Sequence, residues 1–317
     1  MDLDALRTFV EVERSGGVTR AAEVLFRSQP AVSRRVAQLE RELGVPVFER
    51  VASGMTLTEA GRALLPFAER VLATVSDAEA AVRAVRDEGG GELTIALVGT
   101  LASSGLTPLL RRFAERHPRV DLRLRTATSD EVGQLVRRAE ATLGLRYSED
   151  PHPDLVSKVL YRERMRVAVG ADHRRAGKRV RSLTALAGER WLAFPRQPGR
   201  PEASAAMVDN ALIAAGVPEE AIRRIDSLTA QKRLIEAGFG IGLVPETAIE
   251  EERAAGTLAV IDVGDLDLGL PVVLVTRKGG YLGSAARTFV TEAPSAPSGR
   301  LDRSGLFAAV GGGGRGG

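Results

Sequence analysis

Three guanidinium groups lie close together in a stretch without acids: Arg27, Arg34 and Arg35 fall between Val24 and Leu39, where no Asp or Glu occurs. Such a cluster seeks phosphate oxygens, because each cation that neutralises a nucleic-acid phosphate releases condensed counterions. The spacing around it is helical. Ser28 can cap a helix, and Pro30 stands early enough that its missing N–H costs nothing. Val32, Val36, Leu39 and Leu43 form a stripe to be buried before Gly44 stops the pattern, and the opposite face exposes Gln29, Ser33 and Arg34. Ahead of it, Thr19 can cap a shorter helix with Ala21, Ala22, Val24 and Leu25 near one face, where small alanines let a neighbouring helix approach closely. Thr19 to Gly44 is therefore expected to form a helix-turn-helix whose second helix enters a major groove of DNA.

Other elements must hold this pair in place. Leu3, Leu6, Phe9 and Val10 predict a supporting first helix that ends at Ser15, Gly16 and Gly17. Val45 to Glu49 and Met55 to Thr58, joined by the turn-like Val51 to Gly54, predict a two-stranded wing. A long helix from Glu59 to about Arg86 follows. Its residues Leu64, Phe67, Val71, Val75, Ala78, Val82 and Val85 step by three or four, a heptad-like seam roughly 40 Å long that needs a partner. Gly61 stands three residues after Thr58, so no capping box opens this helix, and Pro66 predicts a bend near its start.

Beyond a charged, glycine-rich hinge at 88–91, the pattern changes to alternating strands and helices. Strands at 93–99, 120–126 and 143–147, with helices at 106–115 and 130–141, argue for a parallel α/β sheet. Strands at 165–170, 191–195 and 240–245, with helices near 202–215 and 229–237, imply a second α/β lobe. A strand at 271–277 and a helix at 284–292 follow, and residues 294–317, rich in Pro, Ser and Gly, are expected to be disordered.

At 317 residues the chain is long enough for two or three domains. A hydrophobic share of 44% and a charged share of 27% are those of a globular protein, and no apolar run approaches the roughly 18 residues of a membrane span. The N-terminus alternates acids with apolar residues and lacks the basic and apolar regions of a secretory signal, so a cytoplasmic location is expected. Bulk charge says little about nucleic acid. Forty-four basic residues face 41 acids, and residues 1–72 hold ten arginines and ten acids, so any positive patch must be local.

Catalysis has little to rest on. There is no cysteine, and His117, His152 and His173 are isolated, without metal-ligand spacing, so they read as surface residues and neither a metal nor a catalytic residue is expected. Gly238, Gly240 and Gly242 imitate a phosphate loop, but Leu243 stands where the third glycine belongs and the glycines precede a strand. Ser104 followed by Gly105 lacks the GxSxG setting of a nucleophile elbow. The α/β half alone would suit a solute-binding component, and the head alone an architectural DNA-binding protein.

Taken together, MDLDALRTFVEV, TRAAEVLFRSQPAVSRRVAQLERELGVPVFER, LTEAGRALLPFAERVL and IDSLTAQKRLIEAGFGIGLVPE resemble the LysR-type transcriptional regulators over Met1 to Ala293. The resemblance implies a winged helix-turn-helix over 1–58, a dimerising linker helix over 59–87 and the hinge at 88–91. A two-lobed α/β effector domain similar to type 2 periplasmic binding proteins would follow over 92–293, with lobe I near 92–161 and 267–293 and lobe II near 162–266. By position it places Gln29, Pro30, Ser33 and Arg34 at base edges, where Gln suits adenine, Arg suits guanine and a proline ring can touch a thymine methyl. Thr19, Arg35 and Thr58 would position the backbone, and Arg50 would serve the wing, where Ser53 and Thr56 replace the family's frequent basic residues. It further implies a small-molecule effector, and no other cofactor, in an interlobe cleft. Thr100, Ser103, Thr128, Arg146, Phe194, Arg196 and Thr229 occupy the matching strand ends and helix starts, where a carboxylate or another small polar ligand would fit. Expected partners are double-stranded DNA, further copies of the chain as homodimer or homotetramer, the effector and, for an activator, RNA polymerase.

Overall fold

The computed structural model describes residues 1–51, 54–86, 90–103, 106–195 and 203–293. It divides into two compact units, the first built from Met1–Arg146, Asp150–Ser157 and Leu274–Glu292, the second from Tyr147–Glu149 and Lys158–Val273. The expected Ser53, Glu88, Ser104, Gly105, Arg196, Glu202 and tail 294–317 lie outside the described residues.

The first unit opens with α1 (Leu3–Ser15), capped by the Asp2 carboxylate, which accepts the Ala5 N–H at 2.8 Å, and closed by Gly16 in the left-handed region at φ 68. Next come α2 (Val18–Val24) and α3 (Gln29–Leu43), the latter opened by Ser28, whose hydroxyl accepts the Ala31 N–H at 3.4 Å. Strands β1 (Phe48–Val51) and β2 (Gly54–Leu57) pair antiparallel as the wing. The long helix α4 (Glu59–Arg86) runs on through Pro66. Phe9, Val12, Ala21, Val32, Leu39, Val47 and Ala68 have no exposed surface, so the head's core is shared by α1, α2, α3, the wing entry and the start of α4.

Three expectations about the head change. Thr19 lies inside α2, whose cap residue is Gly17 without a side-chain bond. Leu43 is 38% exposed because the buried stripe ends with Leu39 as α3 leaves the core. Leu64 packs on the head core, so the open seam of α4 begins at Phe67.

The same unit continues as a small α/β lobe with β3 (Gly91–Val98), α5 (Leu106–Arg116), β4 (Val120–Ala127), α6 (Ser129–Arg137) and β5 (Leu143–Tyr147). β3 is central and parallel to both β4 and β5, as the alternating pattern predicts. Helix α6 stops at Arg137, four residues before its expected end, because the chain turns through Ala139 in the left-handed region at φ 56.

The second unit departs from an all-parallel sheet. Strand β6 (Leu155–Gly170) begins in the first unit and continues through the second, followed there by β7 (Arg179–Val180), β8 (Trp191–Ala193), α7 (Ala203–Ala214) and β9 (Ile222–Arg224). After α8 (Leu228–Glu236), β10 (Ile241–Pro245), α9 (Glu250–Ala254), β11 (Leu258–Val263) and β12 (Gly269–Arg277), helix α10 (Ser284–Glu292) belongs to the first unit. β6 pairs antiparallel with β10 and β11, while β8 lies parallel to β10 and β9. Only the last third of β6, residues 165–170, is mostly apolar, with Arg166 as its one charge. Its first ten residues interleave Ser157, Lys158, Arg162 and Arg164 with apolar positions because one face is left partly exposed.

Candidate DNA interface and sensor sites

Gln29, Pro30 and Arg34 are exposed on the first turns of α3, with Ser33 half-buried beside them. Arg34 makes no hydrogen bond or ion pair with another described residue, so its fork of donors is available to an outside acceptor. Arg27 and Arg35 differ, because acids distant in sequence reach them. Arg27 pairs with Asp4 at 2.8 Å, and Arg35 pairs with Asp2 at 2.6 Å and with Asp4 at 3.0 Å. The hydrogen bond from Arg27, aided by Arg35, holds the Asp4 carboxyl below the usual aspartate range. The backbone N–H of Ala5 does so first for Asp2, with Arg35 again contributing. A window free of acids along the chain is therefore not free of acids in space. Such half-exposed pairs are screened by solvent, so a DNA phosphate can take either arginine at little cost.

Around this face Thr19 and Arg50 are exposed, the latter on β1 opposite Met55. The Thr58 hydroxyl is already used: it donates to the Pro46 carbonyl at 2.8 Å and accepts the Gly61 N–H at 3.1 Å, capping α4. Sequence reasoning missed Glu40, whose Oε1 accepts the N–H groups of Val47 at 2.9 Å and Phe48 at 3.3 Å and so ties the entry of the wing to α3. Nothing along the chain signals a contact made seven residues away across a turn. Phe26, at the turn before α3, is 97% exposed in the left-handed region at φ 52.

The sensor residues fall into two groups. Thr100 and Ser103 sit on the 3-10 turn Gly99–Ser103 after β3, with Thr100 half-buried. Thr128 is bound up in a capping box with Glu131, accepting its N–H at 3.4 Å while its own N–H donates to the Glu131 carboxylate at 2.9 Å. Arg146, expected to be open to a ligand, is only 4% exposed and is buried in an ion pair with Asp150. In the second unit Phe194 packs on a core with Leu192, Ile235 and Val244, and its carbonyl accepts Arg224 at 3.1 Å. Thr229 is exposed within the first turn of α8, which Ser227 caps by accepting the Ala230 N–H at 3.3 Å. Within this unit the buried Glu163 carboxylate, which the sequence did not single out, accepts the Tyr147 hydroxyl at 2.8 Å and the Thr247 hydroxyl at 3.0 Å.

The three histidines are half-buried, each beside a charged group: His117 by Glu292 at 3.1 Å, His152 by Arg137 at 3.2 Å and His173 by Glu189 at 3.8 Å. Among the described residues no three His, Asp or Glu side chains gather as a metal site, and no helix is long and apolar enough to cross a membrane. Along α4, Phe67, Val71, Val82 and Val85 are 60%, 42%, 66% and 85% exposed, a row of apolar residues on one helix that is open in the single chain.

A winged helix-turn-helix with an exposed reading helix, a long linker helix and an α/β fold that continues from the first unit into the second define a DNA-binding regulator with a sensor domain. Residues 3–62 match the family described as bacterial regulatory helix-turn-helix protein, lysR family, and residues 86–296 match the LysR substrate binding domain. The chain belongs to the LysR family of transcriptional regulators. It is 31% identical to the HTH-type transcriptional regulator SsuR of Burkholderia cenocepacia, over 90% of this chain and 92% of that protein. It is 33% identical to the HTH-type transcriptional regulator CfxR of Cupriavidus necator, over 83% and 81%. Full-length CbnR solved in complex with its target DNA matches with a TM-score of 0.60 at 27% identity, covering 92% of this chain and 99% of that one. The chain is thus a ligand-responsive, DNA-binding transcriptional regulator and not an enzyme.

Proposed function

We propose that the protein reads a dyad promoter site, with Gln29, Ser33 and Arg34 at base edges, Pro30 against a thymine methyl, and Thr19, Arg35 and Arg50 along the backbone, while Thr58, its hydroxyl engaged by Pro46 and Gly61, holds the start of α4. Arg34 carries this reading: an exposed guanidinium on the first turns of α3 with no partner among the described residues. Two copies joined along Phe67, Val71, Val82 and Val85 would place two reading helices on successive major-groove faces, and pairing of sensor domains into tetramers would engage longer sites and bend them. The protein would work in the cytoplasm, and as an activator it would meet RNA polymerase.

The effector is assigned to the α/β domain, where Thr100 and Ser103 in the first unit and Phe194 and Thr229 in the second stand at strand ends, turns and helix starts, with no other cofactor required. Thr128 and Arg146, whose polar groups are already engaged, shape the lobe beside it. A small carboxylate or another small polar molecule suits hydroxyls at helix and turn starts. Effector binding would shift a population of head geometries, which requires unequal affinity for the two states.

Arg34→Ala tests the reading role. Discrimination between the cognate half-site and a half-site with one substituted base pair is expected to fall by about 1 to 3 kcal/mol, measured by fluorescence anisotropy at fixed salt. Unchanged discrimination, with affinity lowered equally for all sequences, would reduce Arg34 to a phosphate contact.

A further inference from the structure

The far end of α6 meets both the linker helix and the head. Glu69 of α4, only 4% exposed, holds two guanidinium groups at once, Arg137 at 2.9 Å and Arg138 at 2.7 Å. Farther along α4, Asp77 accepts Arg277 at 2.6 Å and the Tyr281 N–H at 3.1 Å. These contacts are largely shielded from water, so removing one partner would leave a costly buried charge, and the joint between linker helix and first lobe is firm.

The contacts with the head are of another kind. Arg138 approaches Glu13 of α1 at 3.7 Å, and Glu140 pairs with Arg14 of α1 at 2.9 Å and with Arg125 of β4 at 3.3 Å. Arg14 is 44% exposed, so its pair with Glu140 is readily exchanged for water. Between Arg138 and Glu140 stands Ala139 in the left-handed region at φ 56, a conformation that alanine seldom adopts and that packing must hold. That turn ends α6 and sends its two charged neighbours to two different residues of α1.

We propose that Arg138 and Glu140 form a latch that sets the direction of the head relative to the first lobe, with Glu69 and Asp77 as its fixed base and Glu13 and Arg14 as its releasable catch. The lobe and the head then move as one body while the catch is closed, and the head gains freedom when it opens. Exposed ion pairs serve this purpose where an apolar contact would not, because they are directional and reform without aggregation. The latch builds on the regulator reading, and Arg14, which lies on α1, takes no part in the proposed base or backbone contacts.

The test uses the full-length protein and a dyad recovered by its own selection from random duplex DNA, rebuilt with the half-sites moved apart by half a helical turn. The wild-type chain is expected to lose about thirtyfold in affinity on that insertion, whereas Arg14→Glu, which sets two carboxylates face to face, loses less than about fivefold. Arg14→Glu with Glu140→Arg restores the wild-type penalty, and all three proteins bind an isolated half-site equally. A wild-type penalty retained in Arg14→Glu overturns the latch while leaving the DNA-reading head intact. A wild-type chain that binds no half-site overturns the regulator reading, and the latch with it.

Discussion

Gly61→Ala is expected to unfold the DNA-binding head. A Cβ at this position would stand 2.1 Å from the Val47 carbonyl oxygen and 2.9 Å from a Leu57 methyl carbon. The oxygen cannot move aside, because it accepts the Thr58 N–H at 3.1 Å while the Val47 N–H is held by Glu40 at 2.9 Å. The clash therefore lies at the junction of α3, the wing and α4, where the head's core closes. The cost should exceed about 4 kcal/mol, the range reserved for a named structural failure and comparable with the stability of a small domain. Gly188→Ala is the control, since its Cβ would meet nothing within 4 Å. It should change stability by less than about 0.5 kcal/mol. Thermal unfolding followed by circular dichroism, together with DNA binding, checks the pair: the first variant loses the head's transition and its DNA affinity, the control keeps both. Wild-type binding by Gly61→Ala would show that the wing packs differently from the arrangement described.

Asp150→Ala is expected to destabilise the first lobe by about 3 to 5 kcal/mol, the usual consequence of removing one partner from a buried ion pair. Arg146 and Asp150 face each other with side chains 5% and 9% exposed, and a further Asp150 oxygen accepts the His152 N–H at 2.9 Å. The Asp150 N–H donates to Ser157 at 3.1 Å, so the residue also organises the turn into β6. Differential scanning calorimetry should show the lobe's transition lowered by about 10 °C. A transition within about 2 °C of wild type would mean that the pair is not structural and would return Arg146 to the ligand-binding residues.

The sequence made some of this visible for local reasons. Ser28, Pro30 and Gly44 mark α3 by rules that act within one turn, and 284–292 carries its helical pattern so cleanly that α10 has those bounds. What stayed hidden was non-local. Asp2 and Asp4 neutralise Arg27 and Arg35 only because α1 crosses α3, and no count along the chain brings residues 23 to 33 positions apart together. Thr58 was expected along the DNA backbone and Thr128 at the effector, and both hydroxyls serve as caps. Strand β6 was read at a third of its length because one face of its first part is polar. Arg34 was marked by the helical phase of α3 alone, and that phase is robust because Val32, Val36 and Leu39 fix which way the helix faces.

Selection from a random duplex library with the full-length protein, read by sequencing, bears most directly on a symmetric, base-reading head. The predicted result is an inverted repeat whose half-site centres lie about 10 base pairs, or a multiple of that, apart, with one position per half-site losing its preference when Arg34→Ala replaces the wild-type chain. A bound pool with the same sequence composition as the input would contradict it, since the head would then hold DNA by its phosphates alone.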